Sequence, residues 1–205
     1  MEWILQLPIL FFSIIIHECA HGWAALRFGD DTAYMMGRLT LDPRAHVDKV
    51  GTFIVPGICI LLGLPTIGWA KPVPVNPYNL RNPRTDMAKV AAAGPLSNIT
   101  MAVIAVILLK IIVYVFHPTS AFMVTVAKSL YFAILINLGL AFFNLIPIFP
   151  LDGGNILLGV LKGQALERYE KILPYGTYII LALVMFGFVK YIIIWPIMIF
   201  MNIFF

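Results

Sequence analysis

Charge is what this chain has least of. Only 12% of its 205 residues are Asp, Glu, Lys or Arg, while 61% are hydrophobic, and the mean hydropathy is +0.93. Soluble domains carry about 25% charged and roughly 45–50% apolar residues. No soluble core absorbs such an excess, so the composition excludes a soluble domain and implies an integral membrane protein. Cysteine is nearly absent too. Cys19 and Cys59 lie in separate apolar runs, which excludes a disulfide framework and leaves two buried thiols as the plain reading. No internal repeat and no low-complexity tract is found. The N-terminus has Glu2 where a secretory leader has a basic patch, and its apolar run meets a polar motif instead of a cleavage site, so it does not read as a signal peptide. The net charge of +4 does not point to nucleic acid, because the basic residues are scattered through short connections.

Five apolar regions approach the length of about 20 residues that a spanning helix needs. They are 3–27, 52–68, 90–116, 121–148 and 174–205. The second is short and broken by Pro56, Gly57, Gly63 and Pro65; the last is long and interrupted by Lys190 and Pro196. All but Lys110, Lys128 and Lys190 of the 14 Lys and Arg fall in the connections 27–51, 69–89 and 149–173. Basic loops stay in the cytoplasm, so all three connections are expected there. Segment 52–68 then has both flanks on one side and reads as a re-entrant hairpin, against an ordinary short span with 69–89 outside. Broken backbone at membrane depth is tolerated where protein or a watery cavity satisfies it. Residues 33–43 have β-prone residues around Gly37 and suggest a small hairpin. Pro72, Pro74, Pro77 and Pro83 make 68–83 an extended loop. The fold class expected is an all-α polytopic membrane protein, one domain over 1–205. It has about four to six transmembrane or re-entrant segments and a small membrane-associated β-hairpin or loop region. Its core covers 3–160, with the hydrophobic segment 174–205 after it.

The first apolar region runs into "IIIHECAHGW", residues 14–23. Ionisable groups inside a membrane are costly and mark function by default. His17, Glu18 and His21 fit the pattern H-E-x-x-H. On a helix, positions i and i+4 share a face, so the two imidazoles can grip one Zn²⁺ at about 2.0–2.1 Å. Glu18, beside the first ligand, is placed to act as general base toward a water at the metal. The bland reading is a polar cluster satisfied by loop backbone at a helix end.

Catalytic zinc usually takes three protein ligands and a water. His46 and His117 are isolated loop residues, Glu167 and Glu170 sit in a charged connection, and Asp86 lies among arginines. Asp30, Asp31, Asp42 and Asp48 are loop acids. Asp152 remains, in "NLIPIFPLDGGN", residues 144–155. Pro147 and Pro150 stop the helix before it, and Gly153 and Gly154 free the backbone after it. Asp152 reads equally as the N-cap of a short helix over 153–163; the special backbone favours a ligand on unwound chain. With 27–51 and 149–173 on one side, His17, His21 and Asp152 reach the same depth.

Together, HECAH on an apolar helix and NLIPIFPLDGG resemble the site-2 protease family of intramembrane zinc metalloproteases. "AGPLSN" (93–98) and "GWAKPVPVN" (68–76) are similar to its small bacterial and archaeal branch, which lacks a PDZ domain. No stretch is long enough for a PDZ insert. The resemblance covers most of 13–160. It implies His17, His21 and Asp152 as ligands of one catalytic Zn²⁺, Glu18 as catalytic base, and Asn144 as a group steadying the oxyanion or substrate carbonyl. Read from its residue type alone, Asn144 is equally a polar cap on a helix approaching Pro147. Gly94, Pro95 and Asn98 open the third span and read as packing first, site-supporting second.

The function expected is hydrolysis of peptide bonds within or near transmembrane segments of other membrane proteins, in regulated intramembrane proteolysis. The partners are a transmembrane protein substrate and the lipid bilayer, in a prokaryotic cell membrane, with the active site toward the cytoplasm. An unwound substrate segment could add to an edge strand formed by 33–41 or by 68–83. The alternative function is a divalent-cation (zinc) membrane transporter, which intramembrane His and acids also suit. Transporters usually carry repeats, and none is present here. A catalytically dead adaptor is a third reading, against which every expected polar residue is in place.

Overall fold

The N-terminal apolar run forms one continuous helix, α1 (Trp3–Phe28), with Arg27 in its last turn. The computed structural model describes residues 3–61 and 70–205. Two short helices follow, α2 (Thr32–Met35) and α3 (Pro43–His46), then a π-helical turn (Lys49–Ile54) running into α4 (Val55–Leu61). Two long helices come next, α5 (Pro83–Tyr114) and α6 (Ala121–Asn144). Asp86 accepts a hydrogen bond from Asn82 N–H (2.8 Å) where α5 begins, and Ser120 accepts from Met123 N–H (3.2 Å) to open α6; both satisfy donors a helix start leaves free. After the break at 145–151 come α7 (Asp152–Val160), α8 (Gly163–Glu170), α9 (Gly176–Met185) and α10 (Phe188–Phe204).

Helices α1, α5 and α6 are long and apolar enough to cross a membrane. The α8–α9 stretch and α10 meet at 79° and give a fourth span if the pair is counted as one. The long C-terminal apolar region is therefore two helices rather than one. Helix α5 packs along both α1 and α6, and α7 folds back on α5. Ala102, Ala105, Val106 and Leu109 of α5 are buried against Ile134 and Leu138 of α6. Small residues let membrane helices approach closely, which is where their association energy comes from.

The hairpin expected over 33–43 does not form, and no strand exists among the described residues. Local bonds win there. Met35, Met36 and Arg38 donate to Asp31, Thr32 and Ala33, so the N–H groups a ladder would need are already used. Residues 38–42 run without regular structure, and Thr40 O receives Cys19 Sγ (3.1 Å) and His46 Nε2 (2.8 Å). The 68–83 segment, from residue 70 onward, is extended as expected, apart from a single 3₁₀ turn at Pro77–Asn79.

Residues 62–69, which hold much of the 52–68 segment, lie outside the described residues. Its flanks are informative. Lys71 N–H donates to His46 O at 2.8 Å, so the chain returns at 71 to where it left at 46. Residues 46 and 71 therefore lie together, on one side of any membrane. Cysteines introduced as Arg44→Cys and Lys71→Cys, both at exposed positions, are expected to react with an impermeant maleimide from the same face of sealed vesicles. Labelling from opposite faces would contradict this arrangement.

Asp30 anchors the extended segment to the end of α1. It is fully buried and accepts from Thr32 N–H (3.1 Å), Asn76 N–H (2.7 Å) and Asn79 Nδ2 (3.0 Å). Burial alone would raise its carboxyl, but the hydrogen bonds from Thr32, Asn76 and Asn79 outweigh it and hold the group below the ordinary carboxylate range. A depressed folded value stabilises above the unfolded one and loses that contribution on acidification. Proteolytic nicking of 70–79 is therefore expected to rise in wild type as pH falls below about 4. Asp30→Asn should nick readily at every pH. A flat wild-type profile would show that the anchor does not depend on the charge.

Candidate active site

The i, i+4 spacing on α1 does place both imidazoles on one face. His17 Nε2 and His21 Nε2 lie 3.0 Å apart, with the rings edge-on at 87°. Asp152, the first residue of α7, brings Oδ2 to 3.2 Å from His17 Nε2 and Oδ1 to 3.4 Å from His21 Nε2. Among the described residues this is the one group of three His, Cys, Asp or Glu whose ligand atoms converge, all within 4.8 Å. The residues span 17 to 152, so the cluster exists only once α1, α5 and α7 are packed.

The reason Asp152 arrives there differs from the sequence expectation. It is neither on unwound chain nor an N-cap; Leu151 is the N-cap and Asp152 is helical. The unwound backbone lies just before it, at 145–151. The glycines serve close approach. A Cβ on Gly153 would meet Ile146 O at 2.5 Å, and one on Gly154 would meet Phe149 N at 2.5 Å. The first turn of α7 rests directly on the backbone of the preceding turn, and Arg84 Nε ties its far end to α5 through Leu158 O (2.7 Å).

Three positions on one face of α5 orient the histidines. His21 Nδ1 bonds Val90 O at 2.8 Å, and His17 Nδ1 bonds Asn98 Oδ1 at 2.6 Å. Both partners are acceptors, so each Nδ1 carries the proton and each Nε2 presents a lone pair. Between them, one turn from either, Gly94 leaves room for the rings: a Cβ there would overlap His21 Nε2 and stand 2.6 Å from His17 Cε1.

This donor set suits a cation. Two lone pairs and a carboxylate face one point, and Asp152 Oδ2 is buried without a hydrogen bond. Zn²⁺ bonds of 2.0–2.1 Å at tetrahedral angles put ligand atoms about 3.3 Å apart; the two Nε2 atoms stand 3.0 Å apart, and each has one of the two Asp152 oxygens at 3.2 or 3.4 Å.

Glu18 follows His17 on the helix, and its Oε2 accepts Val73 N–H at 2.9 Å from the extended segment. Asn144 ends α6 and donates to Leu140 O of its own helix (3.0 Å), not to the cluster. The other acids and histidines weighed above stay outside it. Asp42, Asp48 and Asp86 cap helix starts, and His46 is buried against Thr40 and Cys19. Sequence reasoning gave Gly94 and Asn98 mainly to packing and passed over Ser13 and Asn137. The signal for those two was a polar side chain in mid-span with no stated partner.

The model of peptidase family M50 matches residues 6–126 and 110–187. YwhC of Bacillus subtilis is 36% identical over 188 residues, covering 91% of this chain and 82% of that protein. Rip2 of Mycobacterium tuberculosis is 32% identical over 141 residues, 69% of this chain and 51% of Rip2. Both are named provisionally as zinc metalloproteases. Zinc metalloprotease MJ0392 of Methanocaldococcus jannaschii is 24% identical over 187 residues, 90% of this chain and 43% of its own length. No solved structure matches. With the family model covering most of the sequence, the chain belongs to peptidase family M50, the family of the site-2 proteases.

Proposed function

We propose that this protein is an intramembrane zinc metalloprotease that hydrolyses peptide bonds within or near the transmembrane segments of other membrane proteins. The observation that carries this reading is the convergence of His17 Nε2, His21 Nε2 and the Asp152 carboxylate, with both histidines and Glu18 on a helix long enough to span. The relatives' names add protease and zinc to it.

His17, His21 and Asp152 are the residues that would hold one zinc ion. Such an ion supplies Lewis-acid polarisation of a carbonyl and brings the pKa of a bound water toward about 7. The protein supplies the rest. Glu18 takes the proton of the attacking water at its carboxylate and delivers it to the departing amine nitrogen. The Val73 N–H on Oε2 holds that carboxylate in one rotamer. Asn144 is assigned to the substrate carbonyl, for which it would exchange its bond to Leu140. The substrate helix is internally hydrogen-bonded, so it must unwind before a carbonyl reaches the site. With no strand found at 33–41, the extended 70–76 segment is the better candidate to hold the unwound chain. The basic connections on the site's side support a cluster that faces the cytoplasm, and the bacterial and archaeal relatives support a prokaryotic cell membrane.

The test uses purified protein in liposomes with a single-span model substrate. Chelation should stop cleavage, and refilling with one equivalent of zinc should restore it. A zinc flux across sealed vesicles with no cleavage would replace this reading with the transporter.

A further inference from the structure

Behind His17 lies a second polar cluster that the reaction does not use. Ser13 of α1, Asn98 of α5 and Asn137 of α6 are each at most 2% exposed, in the middle of three apolar helices. Their hydrogen bonds have one consistent direction. Ser13 Oγ donates its proton to Ile9 O (2.8 Å), so toward Asn137 it is an acceptor. Asn137 Nδ2 donates to Ser13 Oγ (2.9 Å) and to Ala133 O (2.9 Å), which uses both amide protons. Asn137 Oδ1 must then face Asn98, and Asn98 Nδ2 donates to it (2.9 Å) and to Ser13 O (3.3 Å). Both protons of Asn98 are used in turn, and its Oδ1 is left pointing at His17 Nδ1, 2.6 Å away.

Reversing either amide would set donor against donor or acceptor against acceptor in an apolar interior, where an unmet polar group is costly. The orientation of Asn98 is thus dictated from Ala133 O and Ser13 Oγ, and that orientation decides which nitrogen of His17 carries the proton. We infer that Asn137 and Ser13 are positioning residues that act through Asn98 to keep the His17 Nε2 lone pair aimed at Asp152 and the metal position. This rests on the zinc reading above. A plain structural role, polar glue between helices, accounts for the contacts but not for their direction.

A double-mutant cycle separates the two roles. Zinc affinity of the full chain in detergent is measured by chelator competition, with thermal midpoints and the cobalt(II) visible spectrum recorded alongside. Partners beyond the ligands typically alter metal affinity about 10–100-fold. Asn98→Leu is expected within that range, and Asn137→Leu near its lower end, about tenfold. In the Asn98→Leu background, Asn137→Leu should change affinity less than about twofold, because its route to His17 is already cut. The cobalt bands should move in Asn137→Leu and stay in place in Leu138→Ala, a destabilising control in the same helix. Equal losses from Asn137→Leu in both backgrounds, or none in either, would overturn the inference. Should Asn137→Leu not fold, Ser13→Ala carries the same cycle with a smaller loss, about threefold, again vanishing without Asn98; no loss overturns the inference equally. Wild type that binds no zinc would instead overturn the functional reading beneath it.

Discussion

Glu18→Gln is expected to lower cleavage by about 10²–10⁴-fold, the usual contribution of a general base, while zinc content stays at the wild-type level. The substitution is conservative where the structure holds the residue. A glutamine oxygen can still accept the Val73 N–H that now bonds Glu18 Oε2, so the extended segment keeps its attachment. The histidines keep their Nδ1 partners on α5, and Asp152 is untouched. Only the capacity to take and return a proton is lost. Zinc analysis and cleavage of a co-expressed membrane substrate check this together. Cleavage at the wild-type rate would remove Glu18 from the mechanism, and zinc lost along with activity would make it a metal-site residue instead.

Gly94→Ala is expected to be nearly as damaging, through the metal rather than the base. The added Cβ would enter the space of both imidazoles, overlapping His21 Nε2 and standing 2.6 Å from His17 Cε1. Neither ring is free to withdraw, because each is tied to the same helix one turn to either side of Gly94, at Val90 O and Asn98 Oδ1. Relief requires breaking one of those bonds or separating α1 from α5. Overpacking of this kind costs about 1–3 kcal/mol, which corresponds to zinc binding weakened about 5–150-fold. Gly139→Ala is the control, since a Cβ there has nothing within 4 Å. The measurement is zinc affinity of both variants by chelator competition; wild-type affinity in Gly94→Ala would mean the rings sit elsewhere.

The parts of this protein legible in its sequence were those written in local spacing. His17 and His21 fall at i and i+4 with Glu18 between, so their shared helix face needs no tertiary knowledge. Long uninterrupted apolar runs marked the spans of α5 and α6, with α6 starting at 121 as expected and ending four residues early, while α5 begins at Pro83, seven residues before the apolar run, because polar residues 83–89 extend the helix. Other features depend on what is packed nearby. Residues 33–43 looked like a hairpin because β-prone side chains surround Gly37, but Asp30 and Asp31 start a helical turn that consumes the local N–H groups. The glycines after Asp152 suggested loose backbone and prove to allow contact with the turn before them. Gly94 and Asn98 stand in AGPLSN, which resembles the family, but no local spacing says what they face; they matter because α5 lies against the histidine face of α1. Asn137 is further removed, since its effect passes through a second amide. Packing partners distant in sequence are what periodicity cannot supply.

Zinc K-edge X-ray absorption on the purified, unmodified protein bears most directly on the central claim, that His17, His21 and Asp152 form one catalytic metal centre. The account predicts a single zinc per chain with a nitrogen and oxygen shell at about 2.0–2.1 Å and the outer scattering of two imidazoles, lost in Asp152→Ala. Absence of zinc, or a sulfur shell near 2.3 Å implicating Cys19, would contradict it.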